Sequence, residues 1–142
     1  MKPEFSGIER RLQRLRECLL KLEPLKEKEK SEFVRDPYLR DIVERNLEVA
    51  AQACIDIANR IISIEHLEKP RDYYEAILRL GEADVLPADF ARHLAPVAGF
   101  RNVLIHEYLE IDWEEVYQNL QGLKDLYSFL DYVREWMKSK NT

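Results

Sequence analysis

The sequence predicts an all-α protein, an antiparallel bundle of about five helices. Apolar residues recur at intervals of three and four, and none of the runs of Val, Ile or Thr alternates as a strand does. Only 4 Gly and 6 Pro interrupt the 142 residues. Short connections favour antiparallel neighbours in such a bundle. The length is that of one domain, so residues 1–142 are expected to form a single domain.

The first two predicted helices are separated by a proline and a capping signal. Pro24 interrupts or ends the first helix. Asp36 is a good helix cap and Pro37 suits the first helical position, so a long second helix begins there and extends to roughly Ser63. The apolar stripe of the first helix consists of Phe5, Ile8, Leu12, Leu15, Leu19 and Leu22, and that of the second includes Ile42, Ala50, Ala53, Ile57 and Ile61.

Three more helices are predicted in the rest of the chain. Asp72 is a candidate cap for a short third helix that stops at Gly81. Pro87 begins a fourth helix that extends to about residue 105, with a kink at Pro96. Asp112 caps a fifth helix, whose apolar side carries Trp113, Val116, Leu120, Leu123, Leu126, Leu130, Val133 and Trp136.

Composition excludes several classes of protein. With 22 basic and 27 acidic residues, the chain is too acidic for the broad basic surface of a duplex-DNA binder, although a local nucleic-acid site is possible. No apolar run approaches the roughly 20 residues that span a bilayer, and the first residues do not resemble a signal peptide. Cys18 and Cys54 have no partner in a zinc or disulfide pattern. A reduced cytoplasmic protein without a metal is expected.

The segment at residues 99–112 concentrates polar groups on one side of a helix. At about 100° per residue, Arg101, Asn102 and His106 share a wedge with Gly99, opposite an apolar flank. Asn102 and His106 are four residues apart, so the amide could orient the imidazole. The structural alternatives are a helix-end histidine bonded to a carbonyl and an arginine in an ion pair. Spacing alone supports a functional site and a structural role about equally.

Other candidate groups are better explained structurally. His66 lies near a helix end and His93 lies among apolar residues, so both are predicted to be structural. Metal-ligand spacing, a glycine-rich phosphate loop and a nucleophile elbow are missing from the sequence. The acidic segment (residues 107–115) fits a solvated helix N-terminus or, alternatively, a docking patch for a basic partner. Core packing is favoured over base stacking for Tyr73, Tyr74, Tyr117, Tyr127 and Tyr132.

The residues from 101 to 108 read R-N-V-L-I-H-E-Y, which resembles the R-x-x-x-x-H-x-Y signature of the HEPN superfamily, in its HepT-like branch. The resemblance extends over residues 40–62 and 72–112 and over the following WEEVYQNL, which is most of the chain.

That resemblance implies a homodimeric helical bundle and a metal-independent ribonuclease without a cofactor, the toxin of a toxin–antitoxin pair. The implied antitoxin is a minimal nucleotidyltransferase that attaches AMP to the motif tyrosine. By position, Arg101 and His106 would be the catalytic pair, Asn102 the supporting polar residue and Tyr108 the modification site.

The residue chemistry is compatible with this function. Cleavage of RNA through its own 2′-OH needs a base, an acid and cationic stabilisation of the phosphorane, which His and Arg can supply. One chain holds one motif histidine, so a two-fold interface across the Gly99 wedge would add the second. Two alternatives remain: a non-catalytic subunit that binds a nucleotidyltransferase and presents its substrate, and a purely structural helical dimer. The motif disfavours only the structural dimer.

Overall fold

A computed structural model describes residues 2–97 and 111–140, and none of these residues is in a strand. Short 3-10 helices cover Pro3–Phe5 and Glu23–Glu27. Within the described part of the chain the α-helices are α1 (Ser6–Leu22), α2 (Lys30–Arg35), α3 (Pro37–Ile64), α4 (Tyr73–Glu82), α5 (Ala88–Leu94), α6 (Trp113–Gln121) and α7 (Leu123–Lys140). The prediction of an all-α fold is confirmed.

Helix α1 packs against both α3 and α7. Arg11 Nε on α1 lies 3.9 Å from Asp56 Oδ2 on α3, and Gly7 lies against Arg60, so the two helices run antiparallel. The 3-10 helix that precedes α1 meets the last turns of α7, where the Phe5 and Trp136 rings are 5.3 Å apart. The six residues of the predicted α1 stripe are all buried. The burial of these apolar side chains stabilises the packing of α1 against its neighbouring helices.

The three predicted aspartate caps are present. Asp36 Oδ1 accepts hydrogen bonds from the backbone N–H groups of Tyr38 and Leu39, at 3.0 and 3.2 Å. Asp72 Oδ1 accepts from the Glu75 N–H at 2.8 Å, and Asp112 caps α6 in the same way. Each carboxylate satisfies N–H groups that have no partner within the helix, which explains why the helices begin there.

Two helices end on residues with left-handed backbone. His66, after α3, has φ of 54°, and Asp84, after α4, has φ of 60°. The N–H of the next residue returns to a carbonyl five positions back, from Leu67 to Ile62 at 2.9 Å and from Val85 to Leu80 at 3.0 Å. These are Schellman caps without glycine. They support the structural role predicted for His66.

The predicted stop at Gly81 needs a correction, because the glycine lies inside α4. A Cβ placed on Gly81 would lie 2.8 Å from the Ala91 Cβ of α5. The missing side chain therefore allows α4 and α5 to approach closely, and the helix itself ends at Glu82.

The predicted fourth helix is interrupted after Leu94, and residues 98–105 of its predicted range lie outside the described residues. The last helical bond runs from the Ala95 N–H to the Ala91 carbonyl at 2.9 Å, and Ala95 and Pro96 form a turn. Pro96 has no N–H to donate, and its ring would clash with the carbonyl of Arg92 in a continuous helix. The predicted kink at Pro96 therefore takes the form of a turn between Leu94 and Val97.

The predicted fifth helix is two helices, and one short helix was missed. Gly122 separates α6 from α7: its N–H bonds the Asn119 carbonyl at 3.1 Å, a tight i to i−3 turn. Glycine is a poor helix former, which favours the break at that position. The missed helix is α2, which has six residues and buries only Phe33, too few for a periodic signal.

Four residues predicted to be buried are exposed. Ile42 is 49% exposed because it lies at the edge of the apolar arc of α3, whose centre runs through Leu39 and Val43. Core packing was also predicted for five tyrosines, but three of them are exposed: Tyr73, Tyr74 and Tyr132. The other two, Tyr117 and Tyr127, pack partly buried against the core.

Candidate functional site

The four predicted site residues, Arg101, Asn102, His106 and Tyr108, lie outside the described residues, as does Gly99. What the structure provides is the frame on either side of the motif segment (residues 98–110). The chain enters this segment after Val97 and leaves it at Ile111. Both flanking residues are partly buried and pack against the hydrophobic core.

The flank that follows the segment is anchored on α2 and α3. Trp113 opens α6, with its ring 6.2 Å from that of Phe33 and 5.0 Å from the Arg40 guanidinium. Asp112 Oδ1 accepts the N–H groups of Glu114 and Glu115, at 3.1 and 3.3 Å. An aromatic pair, a cation–π contact and a cap thus hold this end in position.

The described part of the acidic segment has specific structural partners. Asp112 is the cap of α6, and Glu114 Oε1 accepts a hydrogen bond from Lys30 Nζ at 2.5 Å. Carboxylates in the first turn also interact favourably with the helix dipole. Glu107 and Glu110 lie outside the described residues.

A cavity of about 600 Å³ lies between the flanks of the motif segment. Its apolar walls come from α3, α5 and α7, and its polar walls from α6 and α7. The described residues that line it are Leu47, His93, Leu94, Pro96, Val97, Glu115, Gln118, Asn119, Gly122, Asp125 and Leu126. We refer to it as the flank cavity.

One side-chain pair closes the wall of the flank cavity between α5 and α7. His93 Nε2 lies 2.8 Å from Asp125 Oδ2, and the histidine side chain is 63% exposed. The contact links two helices and therefore has a structural role, as predicted for His93. The ring also faces a cavity, so it is accessible to a ligand there.

The polar residues of the flank cavity were not predicted as a site. The signal available in the sequence is the spacing of Glu115, Gln118, Gly122 and Asp125 by three and four, a polar stripe beside the apolar one. Such a stripe is typical of any solvated helix face. It can be recognised as the wall of a cavity only when α3 and α5 are seen to lie opposite it.

The described residues contain no group of three or more His, Cys, Asp or Glu side chains placed to hold a metal ion. Cys18 and Cys54 are both free and buried, and burial raises the pKa of each thiol. Buried, protonated thiols are poor nucleophiles and poor metal ligands. None of the helices in 2–97 and 111–140 is long and apolar enough to cross a membrane.

Comparison with known proteins agrees with the resemblance seen in the motif. The family model of HepT-like ribonucleases matches residues 7–133. A protein named tRNA nuclease HepT from Aphanizomenon flos-aquae is 36% identical over 94 residues, which cover 66% of this chain and 63% of that relative. One named mRNA nuclease HepT from Shewanella oneidensis is 30% identical over 105 residues, 73% of this chain and 79% of that relative.

The fold also matches solved structures. The tri-AMPylated HEPN toxin of Shewanella oneidensis, in complex with MNT antitoxin, aligns over 95% of this chain and 99% of its own, with a TM-score of 0.81 and 26% identity. The motif, the match over residues 7–133 and this common fold lead to one assignment. The chain belongs to the HepT-like ribonuclease family.

Proposed function

We propose that this chain is a metal-independent endoribonuclease, the toxin of a cytoplasmic toxin–antitoxin pair, formed by one domain over residues 1–142. The main observation in support is that the family match over residues 7–133 contains an R-x-x-x-x-H-x-Y motif at 101–108. The names of the two nuclease relatives support an activity on RNA.

Arg101 and His106 are the proposed catalytic pair, in a cleft at the two-fold axis of a homodimer. His106 would transfer protons to or from the 2′-OH and the leaving 5′-oxygen, and Arg101 would stabilise the charge on the phosphorane. Asn102 would orient the imidazole from one helical turn away. A dimer supplies a second His106 and a second Arg101, so separate acid and base are available in one composite site.

The proposed partner is a minimal nucleotidyltransferase antitoxin that attaches AMP to Tyr108. The similar toxin of known structure is described as AMPylated and bound to MNT antitoxin, which supports this partner class. Tyr108 follows His106 by two residues, so AMP on its hydroxyl would add a bulky anion close to the catalytic histidine. That anion would compete with the RNA phosphate for Arg101.

Induction of this chain in cells, with and without the neighbouring nucleotidyltransferase, tests the proposal. We expect growth arrest with RNA degradation when the chain is expressed alone, and normal growth when both are expressed. Purified protein should cleave RNA in the presence of EDTA. Normal growth and intact RNA on expression alone would favour the alternative of a non-catalytic, substrate-presenting subunit.

A further inference from the structure

We infer that the flank cavity binds one nucleobase of the RNA substrate, and that it selects a base with an exocyclic amino group. This inference rests on the proposed ribonuclease function and adds a specificity site to it. The cavity volume of about 600 Å³ lies in the range of small-molecule sites. Val97 lines one side of the cavity and Glu115 another, so both ends of the motif segment border it.

The lining matches the two kinds of surface that a base presents. Leu47, Leu94 and Leu126, together with Pro96 and Val97, form the apolar part of the lining, against which the flat face of a base can pack. Gln118 and Asn119 are amides, which both donate and accept hydrogen bonds at a base edge. RNA-binding proteins commonly read single-stranded RNA through base edges. None of the described lining residues is aromatic, so these residues would contact a base through its edge and through aliphatic side chains.

The charge of the lining selects the chemical class of the ligand. The described lining residues include two carboxylates, Glu115 and Asp125, and no Lys or Arg. Carboxylates repel an RNA phosphate and accept hydrogen bonds from N–H donors. Asp125 Oδ2 is bonded to His93 at 2.8 Å, which leaves Asp125 Oδ1 and the Glu115 carboxylate to receive a donor from the ligand.

The neighbouring amide is oriented in a way that supports this assignment. Asn119 Nδ2 donates to the backbone carbonyl of Glu115 at 2.9 Å, so its side-chain oxygen is the atom that can face a ligand. The carboxylates and the Asn119 side-chain oxygen are acceptors, which pair with the exocyclic amines of adenine, cytosine and guanine. Uracil has no exocyclic amine and is the base that this lining disfavours.

The test compares Glu115→Gln with Glu114→Gln. Both residues lie in the first turn of α6, so each variant removes one charge from the same helix terminus. Glu114 is bonded to Lys30 and does not line the cavity. Single-stranded oligoribonucleotides that differ at one position, A, C or U, are cleaved by the purified protein, and kcat/KM is compared. Binding of the same oligonucleotides is measured in parallel by fluorescence anisotropy.

We expect the wild type and Glu114→Gln to prefer A or C over U at one position next to the cleaved bond. Glu115→Gln replaces one carboxylate oxygen with an amide N–H donor that can face the uracil carbonyl, so the preference should fall by roughly 10-fold and turn towards U. If the ratio of kcat/KM for A or C to that for U is the same in the wild type and in both variants, the inference is overturned. A change in sedimentation caused only by Glu115→Gln would also overturn it, since the cavity would then contact a second copy of the chain.

The two proposals fail separately. If the wild type cleaves RNA and Glu115 has no influence on base preference, the ribonuclease stands and the base site falls. If no RNA is cleaved but the anisotropy shows an amino-base preference that Glu115→Gln removes, the base site stands and the nuclease falls. Glu115→Gln could also bind all the oligonucleotides equally weakly and have a lower melting temperature than the wild type and Glu114→Gln. That result would indicate a role of Glu115 in folding and would overturn the inference.

Discussion

His93 and Asp125 join the C-terminal end of α5 to α7, with His93 Nε2 2.8 Å from Asp125 Oδ2. The bond lies four residues before the last described residue of this flank, Val97, and next to the turn at Pro96. The side chain of the histidine is largely exposed, so the pair has solvent on one side and the flank cavity on the other. The bond therefore ties the end of α5, after which the chain enters the motif segment, to α7.

We predict that His93→Ala loosens this entry point without unfolding the protein. The free energy of unfolding should fall by no more than about 1 kcal/mol, because a single exposed hydrogen bond between side chains contributes little. Amide exchange should become faster at Ala95, whose N–H bonds Ala91 in the last turn of α5. Asp125→Asn keeps the size of the side chain and should give a smaller effect. Unchanged exchange at Ala95 in His93→Ala would show that the bond does not hold α5.

Gly81→Val should destabilise the protein by about 1–3 kcal/mol through overpacking between α4 and α5. The first added carbon would lie 2.8 Å from Ala91 Cβ, a distance that requires one helix to move. Ala91→Gly should recover part of the loss in the double variant. Gly122→Ala is the matched control, since a Cβ there meets only the Asn119 carbonyl oxygen at 3.6 Å. Denaturant unfolding of all four variants measures the free energy of unfolding. If the loss in the double variant equals the sum of the losses in Gly81→Val and Ala91→Gly, the proposed contact is contradicted.

The ion-pair network on α4 predicts a dependence of stability on pH. The hydrogen bond from Arg71 lowers the pKa of Glu75 below its usual value of 4.5, with the Arg71 and Arg79 charges adding to this effect. A lowered pKa in the folded state stabilises the protein above the usual pKa, and this contribution is lost as pH falls through the folded value. Glu75→Gln should therefore lower the melting temperature at pH 7 and change it less at pH 3.

The Arg71→Gln background provides the control for that experiment. Arg71 Nε donates to Glu75 Oε2 at 2.9 Å, and Arg79 donates to the other carboxylate oxygen at 2.5 Å. Without Arg71, the effect of Glu75→Gln at pH 7 should be smaller. An effect of Glu75→Gln that stays constant from pH 7 to pH 3 would argue against a carboxylate role for this residue.

Tyr108→Phe is predicted to prevent modification by the proposed antitoxin. Wild-type protein incubated with the nucleotidyltransferase and ATP should gain the mass of one or more AMP groups, and it should lose RNA binding while keeping its melting temperature. Tyr108→Phe removes the acceptor oxygen and should keep its mass and its RNA cleavage. Intact-mass measurement decides the outcome, and the same mass gain on the variant would place the modification on another residue.

Helix starts and the apolar stripes were predictable from the sequence because they depend on local chemistry. Asp36, Asp72 and Asp112 cap helices through bonds that reach only two or three residues along the chain. Ends and breaks depend on packing and were predicted less well. Gly81 continues its helix because Ala91 packs against it, while Gly122 has no such contact and breaks one.

The candidate site divides in the same way. The motif residues are contiguous, so the sequence alone identifies Arg101, His106 and Tyr108 as candidates, and they remain predictions. The flank cavity combines residues from four helices, from Leu47 on α3 to Leu126 on α7. Such a set has no signature along the chain, and only the folded arrangement brings it together.

Cleavage of RNA by purified protein, with His106→Ala and Arg101→Ala beside the wild type, tests the central claim most directly. Circular dichroism and melting temperature confirm that the variants are folded, and His66→Ala serves as the control for loss of a histidine from a helix end. The wild type and His66→Ala should cleave RNA in EDTA, while both motif variants should lose at least about 100-fold in rate, the usual contribution of a general acid or base or of a charge-stabilising group. Undiminished cleavage by folded His106→Ala would contradict the account.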